Sequence, residues 1–285
     1  MEISLALGGG GSRGSAHLGV LRALEGEGFK IKAVAGTSAG GMAASIYAAG
    51  YKPQEAIDIF SQVDQNELFS FGNGRALLGV KGIVKAMTRF IEEETFQDLT
   101  MPCALTAVDI KEMREVVLQE GRVLDAVMAT IAIPGVFPPK KWGERFLVDG
   151  GVLDPVPVQI ARSLAPDLPV VAVVLSPHPE KWKEISAPEI FSETPILKPI
   201  KRMRVAQAFD IFTRSVELMT HELSEKQLEL EKPDVIIRPD VVDVGILDKV
   251  NVIEIAARGD LAVEKALPEL ETLKGKKKGI RRFFT

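Results

Sequence analysis

In Ile31-Lys32-Ala33-Val34-Ala35-Gly36-Thr37-Ser38-Ala39-Gly40-Gly41-Met42-Ala43-Ala44-Ser45, an apolar run gives way within two residues to a run of small residues. Residues 31–35 have the unbroken hydrophobicity of a strand buried on both faces, and residues 38–49 read as a closely packed helix. The uncharged stretch from Ala33 to Tyr51 is long enough for a membrane span, but Gly36, Gly40 and Gly41 cluster where a turn belongs. The stretch is therefore strand, sharp turn and helix. Gly36-Thr37-Ser38-Ala39-Gly40 fits G-x-S-x-G, which in that setting lifts a serine hydroxyl clear of a sheet onto a helix N-terminus.

The same alternation continues outward. Residues 3–7 form a short apolar strand and residues 15–28 a helix that stops at Gly28. Helices are expected over 53–63, 81–94, 123–131 and 158–164. Strands are expected over 103–110, 115–119, 145–148 and 170–175. Apolar strands alternating with helices define an α/β fold, with a mostly parallel central sheet and helices on both faces. Five prolines then break the pattern between 176 and 200, as in a surface excursion or lid. Beyond it come a helix over 205–230, a strand over 235–237 and a helix over 250–273. Phe209, Phe212, Val216, Met219 and Leu223 form one stripe of the first of these helices, which reads as core. One domain over 1–285 is expected, with its motifs within 3–175, helices and a strand over 201–273, and a basic tail over 274–285.

Composition narrows the function. With 46% hydrophobic and 26% charged residues, the chain is ordinary globular protein and not a disordered one. A net charge of −4 gives no footprint for nucleic acid. The lone Cys103 and three histidines leave little for a disulfide framework or structural zinc. Met1-Glu2-Ile3-Ser4 lacks a basic leader, so the expectation is a cytoplasmic protein, able to act at a membrane surface.

Gly8-Gly9-Gly10-Gly11-Ser12-Arg13-Gly14 also contains G-x-G-x-x-G between a strand and a helix. A dinucleotide site would need an acidic residue at the end of the second strand, where Ala35-Gly36-Thr37 stands instead. No cofactor is therefore expected. A glycine loop at a helix start still offers backbone N–H groups to an anion or oxyanion.

A nucleophilic serine needs a base. His17, on the first turn after the glycine loop, fits packing or capping; His178 and His221 have neither a glycine turn nor a strand end around them. Asp149 in Phe146-Leu147-Val148-Asp149-Gly150-Gly151 is better placed, at the C-terminal end of a strand with glycines behind it. The same residues also suit a plain turn. Burial beside the serine would raise its pKa and make proton abstraction reasonable.

In this order, the glycine loop, Gly36-Thr37-Ser38-Ala39-Gly40 and Asp149-Gly150-Gly151 resemble the patatin-like phospholipases. Ala132-Ile133-Pro134-Gly135-Val136-Phe137-Pro138-Pro139 and the run after Gly151 are similar to the bacterial branch. The resemblance covers roughly residues 3–175. It implies a three-layer α/β/α fold and a serine esterase acting on phospholipid or lysophospholipid, with no metal. Ser38 would be the nucleophile and Asp149 its base. The N–H groups of Gly10 and Gly11, with neighbouring Gly9 or Ser12, would form the oxyanion hole. Arg13, Gly14, Gly36, Gly40, Gly150 and Gly151 would support them. Asp154 departs from the pattern, since many bacterial members carry Asn there.

The same acyl-enzyme would also serve an acyltransferase or thioesterase, and a regulatory interaction protein could keep the fold with little activity. The cations of the tail, with Phe283-Phe284, could meet anionic lipid, although a solvated tail has the same composition. Access to the site is expected to be controlled by residues 68–82 and 176–200.

Overall fold

The computed structural model describes residues 1–68, 78–176 and 200–280, the side chains of 67–68, 200–210 and 275–280 excepted. The Pro-rich excursion with His178, most of the 68–82 segment, the Phe209 side chain and the end of the basic tail lie outside the described residues.

The chain begins with β1 (Glu2–Leu7), α1 (Ser15–Gly26), β2 (Lys30–Gly36) and α2 (Ala39–Ala48). Next come α3 (Pro53–Ser61), α4 (Gln65–Leu68), α5 (Lys81–Met87), β3 (Cys103–Asp109), β4 (Arg114–Leu118) and α6 (Val123–Thr130). The remainder is β5 (Lys140–Trp142), β6 (Arg145–Asp149), α7 (Val158–Leu164), β7 (Val170–Val173), α8 (Ile200–Glu231), β8 (Val235–Ile237) and α9 (Val252–Ile280). The strands join in the order β5-β6-β3-β2-β1-β7-β8, with β4 also on β3. Pairing from β3 through β2, β1 and β7 to β8 is parallel, and β4, β5 and β6 enter antiparallel.

Side-chain size sorts the two faces of the sheet. Ile3, Leu5, Leu7, Val34, Leu105, Val171 and Val173 point to one side, under α1, α2, α3, α6 and α9. Ala6, Ala35, Ala104 and Ala172 point to the other, where α7 and Leu228 of α8 pack. Small residues on that face let α7 approach closely enough for the Ser4 hydroxyl to donate to the Ala161 carbonyl at 2.7 Å.

Two expected helices differ. The one beginning at Lys81 ends at Met87, because the chain turns there to bury Phe90 and Ile91, with Phe90 against Tyr51 and Phe60. The apolar stripe of α8 is not core: Met219 is 70% exposed and Phe212 42%. The helix instead turns His221, Ser224 and Leu228 inward, with Glu217 one turn earlier on the same face.

α9 returns to cross α1 by a contact that only glycines permit. A Cβ on Gly19 would lie 1.8 Å from the Ala256 carbonyl oxygen, and one on Gly259 would lie 2.1 Å from that of Ala16. Gly19→Ala is expected to cost about 2–3 kcal/mol in urea denaturation, as overpacking against backbone does. An unchanged midpoint would mean that the two helices can separate freely.

Candidate active site

The register of β3 brings the two predicted side chains together. Gly36 of β2 is level with Leu105, and Asp149 of β6 is level with Ala107. β4 occupies the opposite edge of β3 across this whole length, so β2 and β6 share the remaining edge and end facing one another. Thr106 lies in the gap. Its hydroxyl is 2.8 Å from that of Thr37, and Thr37 Oγ1 donates to the Asp154 carbonyl at 2.8 Å, so Thr106 is the donor to Thr37.

Ser38 sits at this gap with φ 54° and ψ −121°, a left-handed conformation costly for any residue with a Cβ. Its N–H donates to the Thr130 hydroxyl at 2.9 Å, which holds the strained turn. The glycines around it are steric necessities. A Cβ on Gly36 would lie 2.4 Å from the Gly40 carbonyl oxygen, and one on Gly40 would lie 2.1 Å from that of Leu7. A Cβ on Gly14 would meet Ala39 at 2.7 Å, and one on Gly150 would strike the Thr106 hydroxyl at 1.9 Å.

Asp149 is buried, and Oδ1 accepts the Gly151 N–H at 2.8 Å. Oδ2 is buried without a hydrogen-bond partner of standard geometry among the described residues. Burial raises the carboxyl pKa to about 6, against the opposing pull of the nearby Ser38 hydroxyl and the Gly151 N–H. Asp154, the departure from the family pattern, is also buried, and desolvation with Glu115 and Glu231 beside it keeps its carboxyl protonated well above the usual range. It is not among the groups that shift Asp149.

The glycine loop passes against Ser38: a Cβ on Gly9 would touch the Ser38 Cβ at 3.4 Å. The Gly9 N–H is held by the Pro155 carbonyl at 3.0 Å and the Ser12 N–H by that of Ile246 at 2.9 Å. This removes Gly9 and Ser12 from the expected donors, because each N–H has one hydrogen and it is already engaged. Gly10 and Gly11 donate no backbone hydrogen bond to any described residue. Arg13 does not face solvent or substrate with a free charge. It is 4% exposed, its Nε donates to the Val244 carbonyl at 2.5 Å, and it pairs with Glu217 of α8 at 2.5 Å.

Of the histidines, His17 is fully buried with Nε2 2.7 Å from the Gly8 carbonyl, and burial lowers its pKa to about 4. It anchors the start of the loop as a neutral donor. His221 lines the same cavity as Ser38 and Asp149, but its charged neighbours are Glu217, Glu222, Glu225 and Arg238. Sequence reasoning missed Thr37, Thr106 and Thr130, since a threonine in a strand or helix carries no signal of its own. Among the described residues, no group of three or more His, Cys, Asp or Glu side chains is arranged to hold a metal ion, and no helix is long and apolar enough to cross a membrane.

Fold and site together define a three-layer α/β/α protein with a strained serine and a buried carboxylate across one cavity. The chain belongs to the patatin-like phospholipase family, whose profile matches residues 5–162. An uncharacterized NTE family protein of Mycobacterium tuberculosis is 33% identical over 178 residues, which are 61% of this chain and 49% of that protein. Lysophospholipase NTE1 of Mycosarcoma maydis is 32% identical over 178 residues, 58% of this chain and 9% of the relative. The chain thus spans about half the length of the first relative and a small part of the second. The crystal structure of VipD from Legionella pneumophila covers 95% of this chain at a TM-score of 0.52 and 15% identity, a likeness of fold.

The buried Asp149 has a cost in stability. Its folded pKa of about 6 lies above the ordinary 3.8. Between these values the folded state keeps a proton that the unfolded chain has released, so stability falls as pH rises through the window and is lowest above it. Asp149→Asn is expected to be more stable than the parent by up to about 3 kcal/mol at pH 7.5, with the difference gone at pH 4. Equal urea midpoints at both pH values would refute the burial argument.

Proposed function

We propose that the chain is a serine hydrolase of lipid acyl esters, phospholipid or lysophospholipid, working through an acyl-enzyme on Ser38. The reading rests chiefly on one observation. A strained serine and a buried carboxylate, one of whose oxygens has no partner of standard geometry among the described residues, share a cavity beside two loop N–H groups that donate to no described residue. Membership of the family and the lysophospholipase name of a relative support the substrate class.

In this mechanism the Ser38 hydroxyl attacks the ester carbonyl carbon while its proton passes to Asp149. The N–H groups of Gly10 and Gly11 bind the tetrahedral oxyanion. Each such donor contributes on the order of 100- to 1,000-fold in rate. The carbon–oxygen bond to the alcohol then breaks, and Asp149 returns the proton to the departing oxygen. Water repeats the sequence on the acyl-enzyme: Asp149 takes its proton, the hydroxyl oxygen bonds to the acyl carbon, and Ser38 leaves reprotonated. A pKa near 6 suits this work, because the carboxylate is ionised at neutral pH yet more basic than an ordinary aspartate. The lipid substrate brings the protein into transient contact with a membrane surface.

Ser38→Ala should lose hydrolysis of nitrophenyl esters and labelling by a fluorophosphonate while remaining folded. Turnover surviving in that variant would refute the assignment. In the parent, kcat/KM should fall about tenfold per pH unit below an apparent pKa of about 6, the pKa that burial gives Asp149. A profile flat down to pH 4.5 would exclude Asp149 as the base.

A further inference from the structure

One short segment beyond β6 holds four parts of the site. The Leu153 carbonyl accepts the Gln227 side-chain N–H of α8 at 2.9 Å, and the Asp154 carbonyl accepts the Thr37 hydroxyl at 2.8 Å. The Pro155 carbonyl accepts the Gly9 N–H at 3.0 Å. The Asp154 N–H donates to the Gly150 carbonyl at 2.8 Å, which closes the turn behind Asp149. Three consecutive carbonyls thus tie down α8, the residue before Ser38 and the glycine loop, and the N–H among them ties down the turn of the carboxylate. A shift of residues 153–155 reaches all four together.

Two side chains seat this segment. Val156 packs among the small residues of the sheet, with Ala6, Ala35 and Ala104. Asp154 is 6% exposed and lines neither cavity at Ser38; its carboxyl meets that of Glu115 on β4. Two carboxyl groups in hydrogen-bond contact stay together only while one of them holds a proton, since as two anions they repel. Burial, with Glu115 and Glu231 nearby, keeps that proton on Asp154 at neutral pH, so its O–H donates to the Glu115 carboxylate. Glu231 ends α8 and accepts the Gln159 N–H of α7 at 3.1 Å, with Arg162 of α7 as the cation beside it. The Val156 N–H is the other group on the Asp154 carboxyl.

Resting on the proposed acyl-ester chemistry at Ser38, we infer that Asp154 is a positioning residue for that reaction: its neutral carboxyl fastens residues 153–155 to β4 and so aligns the turn of the nucleophile with the glycine loop. Once ionised, Asp154 faces Glu115 and Glu231 as a third anion, and the repulsion is relieved by drawing the segment off β4. A misplacement of about 1 Å between reacting groups costs on the order of 100-fold in rate. Activity is therefore lost at alkaline pH in kcat, while the fold persists.

The test compares the parent with Asp154→Asn, whose amide keeps a donor toward Glu115 and cannot ionise. Hydrolysis of a nitrophenyl ester is followed from about pH 6.5 to about pH 9.5, with circular dichroism at each pH. The Gly9 amide resonance, which reports the bond to Pro155, is followed by NMR over the same range without substrate. In the parent, kcat should fall about tenfold or more around a midpoint of about pH 8, with KM changing less than about twofold, and the Gly9 resonance should move with the same midpoint. Asp154→Asn should retain most of the kcat seen at neutral pH and lose both the alkaline limb and the Gly9 titration. A Gly9 resonance that does not titrate overturns the inference, as does an active parent with kcat flat to about pH 9.5. An alkaline limb that Asp154→Asn leaves in place, or one that coincides with unfolding, overturns it too. Should Ser38 prove inert toward esters while the Gly9 resonance titrates in the parent alone, the hydrolase reading fails and the positioning by Asp154 stands.

Discussion

Two strands that end nose to nose on one edge of β3 are the constraint on which the site depends. β2 arrives parallel and stops at Gly36; β6 arrives antiparallel and stops at Asp149. Neither strand can extend without colliding with the other, so each must turn away at the gap, and each turn delivers a side chain. The backbone strain at Ser38 and the two glycines after Asp149 follow from that collision. The hydroxyls of Thr37, Thr106 and Thr130 fasten the turns where no strand ladder can continue.

The arrangement gains reactivity at the cost of stability. A carboxylate with one oxygen unpaired in the interior is what evolution for stability alone would remove. Here burial lifts its basicity, which in the proposed mechanism suits it to take a serine proton. Asp154, buried within a few residues of it, shows the contrast: surrounded by Glu115 and Glu231, it stays protonated and its backbone carbonyl serves as an acceptor for Thr37. Arg13 likewise is a brace between the glycine loop, the Val244 carbonyl and α8, not a free charge.

Much of the fold was legible because buried strands and small-residue helices leave strong local patterns. Residues 31–49 announced strand, elbow and helix, and the glycines at 36 and 40 announced the close approach that the atoms then made. Pairing choices were not legible. No periodicity tells that β6 will share an edge of β3 with β2, and β5 is too short to register as a pattern. The apolar stripe of α8 misled because spacing alone does not say which side faces the body; the need to meet Arg13 and the cavity turned its polar side inward. Gly9 and Ser12 stood on paper as neighbouring donors beside Gly10 and Gly11, and only the structure shows their N–H groups engaged by the carbonyls of Pro155 and Ile246.

The central claim is that Ser38 and Asp149 act on one another. Infrared titration of the Asp149 carboxyl, assigned by difference against Asp149→Asn, measures this directly in the parent and in Ser38→Ala. The account predicts a pKa near 6 in the parent that moves higher when the serine hydroxyl is removed, because that hydroxyl opposes the effect of burial. An identical titration in the two proteins would show that the groups do not interact, and the account would be wrong.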